Sequence, residues 1–208
     1  MNKIILLVAL FSVNVSGYAK TCFDCSPFYW GISGSFGATK YNDAYAKDGG
    51  SFIGRLSLEV QYALNDLAHL GLESGIQNGN SMRLNIPKYD LDILGGEPVH
   101  VAIKPIFDVL GTLKLTPFDS GFFGYVKGGV AYRHLQVDRN EVNDVTQITP
   151  ELQAGVGFGF TDNSYLFMGY QRMFGKAVNY QVNPILMKGH IENIPSQNSL
   201  LLGLSVLF

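Results

Sequence analysis

The segment Leu200-Leu201-Leu202-Gly203-Leu204-Ser205-Val206-Leu207-Phe208 constrains the fold of this chain more than any other stretch. Its period of two places Leu200, Leu202, Leu204, Val206 and Phe208 on one face of an extended strand. In water, such an apolar strand is a template for aggregation. In lipid, a strand that closes a barrel has its backbone groups paired and its apolar face solvated.

The same alternation recurs along the chain. Phe28, Trp30, Ile32 and Phe36 oppose Tyr29, Gly31, Ser33, Ser35 and Gly37. Phe52, Leu56, Leu58, Val60 and Tyr62 oppose Arg55, Ser57, Glu59 and Gln61. Leu70, Leu72 and Ile76 oppose His69, Glu73 and Gln77. A fourth run over 99–115 places Val99, Val101, Ile103, Phe107, Val109, Leu113 and Leu115 against His100, Lys104, Asp108, Thr112 and Lys114. Pro105 lies inside it and predicts a bulge or a missing ladder bond. Phe122, Val126, Val130 and Tyr132 oppose Tyr125, Lys127, Ala131 and Arg133. Leu152, Ala154, Val156, Phe158 and Phe160 oppose Glu151, Gln153, Gly155, Gly157 and Gly159. Tyr165–Phe174 sends Leu166, Met168 and Tyr170 outward. With the terminal run this makes eight strands, the number of a small closed barrel.

The connections alternate in length. Long ones are expected over 39–50, 78–98, 136–149 and 175–197. Short ones, rich in turn residues, are expected near 63–67, 116–121 and 161–164. Aromatics sort by strand end: Phe28, Trp30, Tyr62, Phe122, Phe160 and Phe208 at one, Phe36, Phe52, Tyr132 and Phe174 at the other. Two such belts match interfacial girdles. The reading is therefore all-β, an eight-stranded antiparallel transmembrane β-barrel of up-and-down meander topology, over 28–208.

Residues 1–19 read as a secretory signal. Lys3 precedes the apolar run 4–13, and Gly17-Tyr18-Ala19 supplies small residues for cleavage. That run is too short to span a bilayer, which takes about 20 residues. Residues 20–27 form a periplasmic N-terminal segment holding Cys22 and Cys25. Export into an oxidising compartment predicts a disulfide between them. A redox site would need a helix starting at the first Cys, which Pro27 and the following strand oppose. Charged residues are 15% of the chain, against roughly 25% in soluble domains. A net charge of −2 gives no basic face for nucleic acid. The scattered His residues and the lone C-x-x-C supply no metal constellation, and no cofactor is expected.

The polar faces carry Arg55, Glu59, Glu73, Lys104, Asp108, Lys127, Arg133 and Glu151. Four acids and four bases inside a narrow barrel predict an interior ion-pair network and no open pore. Gly155, Gly157 and Gly159 are expected to make room for the long Arg and Lys stems.

These features resemble the small bacterial outer-membrane β-barrels of the OmpA/OmpX type over nearly all of 28–208. The most specific match is the terminal assembly signal, carried by Gly203, Val206 and Phe208, with Leu201 where the family usually has a polar residue. The resemblance implies a Gram-negative outer-membrane monomer with both termini periplasmic. Its implied partners are outer-membrane lipid and lipopolysaccharide, the assembly machinery, and a host or cell-surface ligand at the external loops. It implies a non-enzymatic scaffold for adhesion, surface interaction and envelope integrity. The alternatives are a small channel or transporter of hydrophobic compounds and, behind it, an outer-leaflet lipid-modifying enzyme. For the enzyme the available pairs are His134 with Asp138, His100 with Glu97 and His190 with Glu192, and no His-x-Ser spacing occurs.

Overall fold

The computed structural model describes residues 28–208 except 43, 45–47, 49, 66, 94–95, 117–120, 184 and 186–187. The expected signal, the segment with Cys22 and Cys25, and residues 117–120 of the second short turn lie outside the described residues. The elements are β1 (Phe28–Tyr41), β2 (Gly50–Asn65), β3 (Ala68–Gln77), β4 (Asn80–Arg83), α1 (Lys88–Ile93), β5 (His100–Ile103), β6 (Ile106–Leu115), β7 (Phe122–Val137), β8 (Val145–Thr161), β9 (Ser164–Met173), β10 (Tyr180–Asn183), β11 (Lys188–Ile191) and β12 (Gln197–Leu207).

Strands β1, β2, β3, β6, β7, β8, β9 and β12 pair in that order, each antiparallel to the next. The circuit closes where β12 returns to β1, with Gly31 opposite Leu207 and Tyr41 opposite Gln197. No sheet edge is left within the barrel wall, as lipid requires. This is the closed eight-stranded meander that the period-two pattern predicts.

The outer wall is apolar. Trp30, Leu58 and Phe52 are 66%, 65% and 69% exposed, and the exposed faces of β1, β2, β3, β6 and β12 carry mainly Leu, Ile, Val and Phe. Water would make this surface untenable, whereas acyl chains solvate it. Phe28 packs on Tyr62 and Phe122 on Phe158 near the short-turn end. Phe36 stacks on Phe52 near the long-loop end. The expected belts are thus both on the outer wall.

Strands β2, β7 and β8 run for 16, 16 and 17 residues. About 9–11 tilted residues suffice to cross the hydrocarbon core. These strands continue past the loop-end girdle. The third long connection is correspondingly shorter than expected, occupying only 138–144.

Pro105 breaks the fourth run in two. β5 pairs with the far end of β7, Val101 opposite Val137, and β6 pairs with its middle. Lys104 N–H still donates to the His134 carbonyl at 2.9 Å, so one ladder bond bridges the interruption. Burial parity changes across it. Val101 and Ile103 point inward, Lys104 and Pro105 are exposed, and Ile106 and Asp108 point inward again. Lys104 is therefore not an interior residue, contrary to the strict alternation read from the sequence. Val99, Val101 and Ile103 are buried in protein and do not face lipid. Two consecutive outward residues at a bulge are the physical reason.

Above the girdle the inward side chains and the loops form a second interior. Tyr41, Met82, Leu84, Val99, Val101, Ile103, Leu135, Val137, Val145, Ile191 and Ile194 make one buried apolar cluster. The β10–β11 ribbon packs into it through Tyr180 and Ile191. The free edge of β4 is covered by the first loop, through an Ala44–Leu84 bridge. Arg83 also donates to both carboxylate oxygens of Asp48, at 2.6 and 2.9 Å.

Candidate functional site

Two places in this fold hold functional side chains: the barrel lumen and the loop end. In the lumen the register of β2, β3, β6 and β7 gathers four charges. Arg55 donates to Asp108 through Nε at 3.0 Å and Nη2 at 2.5 Å. Its Nη1 lies 2.5 Å from Glu73, and Lys127 Nζ reaches the other Glu73 oxygen at 2.5 Å. All four are buried, so mutual pairing is what makes their charge tolerable. Gly75 permits the network, because a Cβ there would collide with the Arg55 guanidinium.

Of the other expected members, Glu59, Arg133 and Glu151 are interior but pair differently. Glu59 accepts from Ser205 Oγ at 2.7 Å and from Gln61 Nε2 at 3.0 Å. Glu151 accepts from Gln153 at 2.6 Å and Gln171 at 2.7 Å. Arg133, fully buried, donates to the Pro195 carbonyl at 2.9 Å and lies 6.0 Å from the Tyr41 ring. Its hydrogen bond fastens the fourth loop to the top of the barrel. Lys104 is excluded, as described above.

One interior cation was missed by charge counting. Lys114 is buried with its Nζ 3.6 Å from the Tyr165 ring centroid and 4.3 Å from that of Phe123. Two aromatic faces hold it. The signal was available, since Lys114 alternates with outward Leu113 and Leu115. Phe123, Tyr125 and Phe167 fill the barrel below the ion pairs. Gly155 and Gly169 make room for Tyr125, Gly157 and Gly203 for Phe123 and Phe167, and Gly159 is packed against Tyr165. The glycines thus accommodate aromatic rings and not the Arg and Lys stems expected of them. Gly203 of the terminal motif has this inward packing role, while Val206 is half-buried and Phe208 exposed. A cavity of about 30 Å³ remains among these groups, lined by Ser33, Glu59, Lys114 and Tyr165 among others. That is room for about one water.

The histidines do not meet the acids paired with them by sequence. His134 Nδ1 is 2.8 Å from Thr146 Oγ1, and its Nε2 is 4.0 Å from Asp144, not Asp138. A 4.0 Å separation is beyond hydrogen bonding, so Thr146, His134 and Asp144 do not form a relay. Glu97 lies 3.6 Å from Arg139, and Glu192 accepts from Asn179 at 3.0 Å. Among the described residues no group of three His, Cys, Asp or Glu side chains could hold a metal ion.

At the loop end the Arg83 guanidinium holds the Asp48 carboxyl down at about 2, from an ordinary value of 3.8. Burial raises the Tyr180 hydroxyl above its usual range. The third loop is joined to the β10–β11 ribbon by Asn143. Its Oδ1 accepts from Ile191 N–H at 2.8 Å and its Nδ2 donates to the Ile191 carbonyl at 3.0 Å. Gly189 N–H adds a bond to the Glu141 carbonyl at 2.9 Å.

No protein-family model matches the sequence, and no curated protein matches it. Solved structures similar to it include the Neisserial surface protein NspA, at 14% identity over 88% of this chain and 98% of that one, with a TM-score of 0.47. Ail of Yersinia pestis, crystallised with the heparin analogue sucrose octasulfate, matches at 11% identity over 87% and 99%, also at 0.47. The outer membrane protein AlkL matches at 14% identity over 92% and 95%, again at 0.47. The barrel assignment rests on the closed hydrogen-bond circuit and the apolar outer wall of this chain itself.

Proposed function

We propose that this chain is a non-enzymatic outer-membrane scaffold, its loop end outside the cell and both termini periplasmic, which presents ordered loops for adhesion or surface interaction. One observation carries the reading. The lumen is filled by ion pairs and aromatic rings, and the loop end above it is a packed apolar core, so the surface built for contact is the outer face of that core. Ail, seen with a sulfated saccharide, is an instance of a similar barrel with a bound ligand. Lipid and lipopolysaccharide surround the wall in this reading, the terminal strand with Gly203, Val206 and Phe208 is what the assembly machinery engages, and the barrel works as a monomer.

Protease added to intact cells, followed by gel mobility with and without boiling, tests sidedness and fold together. The expected result is cleavage confined to the long connections with a heat-shifted barrel. Cleavage only after the outer membrane is breached would reverse the orientation. A planar bilayer is expected to stay silent. Steady conductance would favour the channel alternative.

A further inference from the structure

The β10–β11 ribbon has two unlike faces. Tyr180 and Ile191 turn into the apolar core, whereas Gln181, Lys188 and His190 are exposed on the other side. The register sets Gln181 opposite His190 and Asn183 opposite Lys188, so these polar residues form two adjacent rows on one face. The third loop adds to the same sheet. Val142 bridges Gly189 in parallel, which brings Glu141 alongside Lys188. Between loop and ribbon lies an open crevice of about 720 Å³.

The crevice is built and pre-organised. Asn143 clamps the Ile191 backbone at both its donor and its acceptor. A Cβ at Gly189 would strike the Tyr180 hydroxyl and Val142, so the close approach of loop and ribbon depends on that glycine. Held walls lower the entropy lost on binding.

Its chemistry selects a class of ligand. The lining offers carboxamides, an imidazole, one acid (Glu141) and one base (Lys188). One acid and one base leave the lining without net charge, so it offers no net attraction for a polyanion or a polycation. The apolar lining, Val142 and Val182, offers no deep pocket for a hydrophobic side chain. Asn143 is committed to Ile191, and Asn183 Oδ1 accepts from Ile185 N–H at 3.0 Å. The Asn140 and Gln181 amides and the His190 imidazole, which both donate and accept, match a ligand whose hydroxyls do the same. We propose that this crevice binds a neutral oligosaccharide carried by another surface, a step that rests on the loop end facing outside.

The test uses full-length protein folded in detergent micelles, applied to immobilised neutral mannose- and galactose-based oligosaccharides, with heparin and polysialic acid beside them. Binding to a neutral oligosaccharide is expected, and Gln181→Ala/His190→Ala should weaken it by about tenfold. The variant should keep the heat-shifted mobility, and Tyr89→Ala on α1 should bind as the parent does. Silence on every neutral oligosaccharide, binding to the anionic polymers alone, or an unaffected double variant would overturn the proposal. If whole-cell protease still cuts the loops in that case, only the saccharide site fails. If the loops prove inaccessible from outside, the orientation fails with it.

Discussion

The lumen and the loop-end core are both lined by the inward face of the same strands, yet their chemistry is opposite. On β7 the inward residues at membrane level include Lys127, and the outward ones are Phe122, Val126, Val130 and Tyr132. Past Tyr132 the pattern inverts, with Leu135 and Val137 inward and His134 and Gln136 outward. β5 shows the inverted form alone, Val101 and Ile103 in and His100 out. The outside solvent explains the switch. Where acyl chains supply the apolar phase, the interior can be polar provided its charges pair. Where the wall emerges into water, the apolar phase must be made inside. Tyr41 and Arg133 mark the seam, stacked between ion pairs below and aliphatic packing above.

The largest expected effect comes from breaking the polar half. Glu73→Ala removes the carboxylate partner of Lys127 and one of the two that hold Arg55, and orphaning the buried Lys127 charge should cost about 3–5 kcal/mol. Urea unfolding in lipid vesicles, read by the heat-shifted band, measures this. Full stability in the variant would mean that water, not pairing, sustains the lumen. Next is Leu135→Ala in the apolar half, expected to cost about 2–5 kcal/mol locally through cavity formation. Its signature differs, since protease should cut the loops faster while the barrel keeps its heat shift. Simultaneous loss of both would show that the two interiors are one cooperative unit. Gly157→Ala forces a methyl group into the Phe123 ring, and overpacking should cost about 1–3 kcal/mol. The smallest effect concerns the first loop. Asp48 is held at about 2 by Arg83, from an ordinary value of 3.8. Its folded value is depressed, so its contribution is complete above the ordinary value and is lost as pH falls through about 2. Hydrogen exchange of residues 80–84 should therefore accelerate only in strong acid. Asp48→Asn should accelerate it at neutral pH and remove that acid dependence.

Much of this was legible in one dimension. Seven of the eight barrel runs obeyed their period of two, because every outward residue meets the same hydrocarbon. Phe36 and Phe52, or Phe28 and Tyr62, could be assigned to belts from strand ends alone. The fourth run misled above Pro105. A bulge shifted its parity and the surrounding phase changed at nearly the same place, so Val101 and Ile103 looked lipid-facing and Lys104 looked interior. The apolar core was hidden because Met82, Leu84, Ile86, Val142, Ile191 and Ile194 sit in segments read as long connections, while Val99, Val101 and Ile103 of the fourth run read as lipid-facing.

By itself the sequence determined that this chain closes a barrel and, outside the stretch around Pro105, which side chains face in, because alternation along a strand is local geometry. Only the tertiary structure decided that Arg55, Glu73, Asp108 and Lys127 share one network while Lys114 rests on aromatic rings and Arg133 ties down a loop. Those partnerships depend on the stagger between strands far apart in the chain, and on which solvent each level of the wall meets. Neither is encoded in the spacing of any single segment.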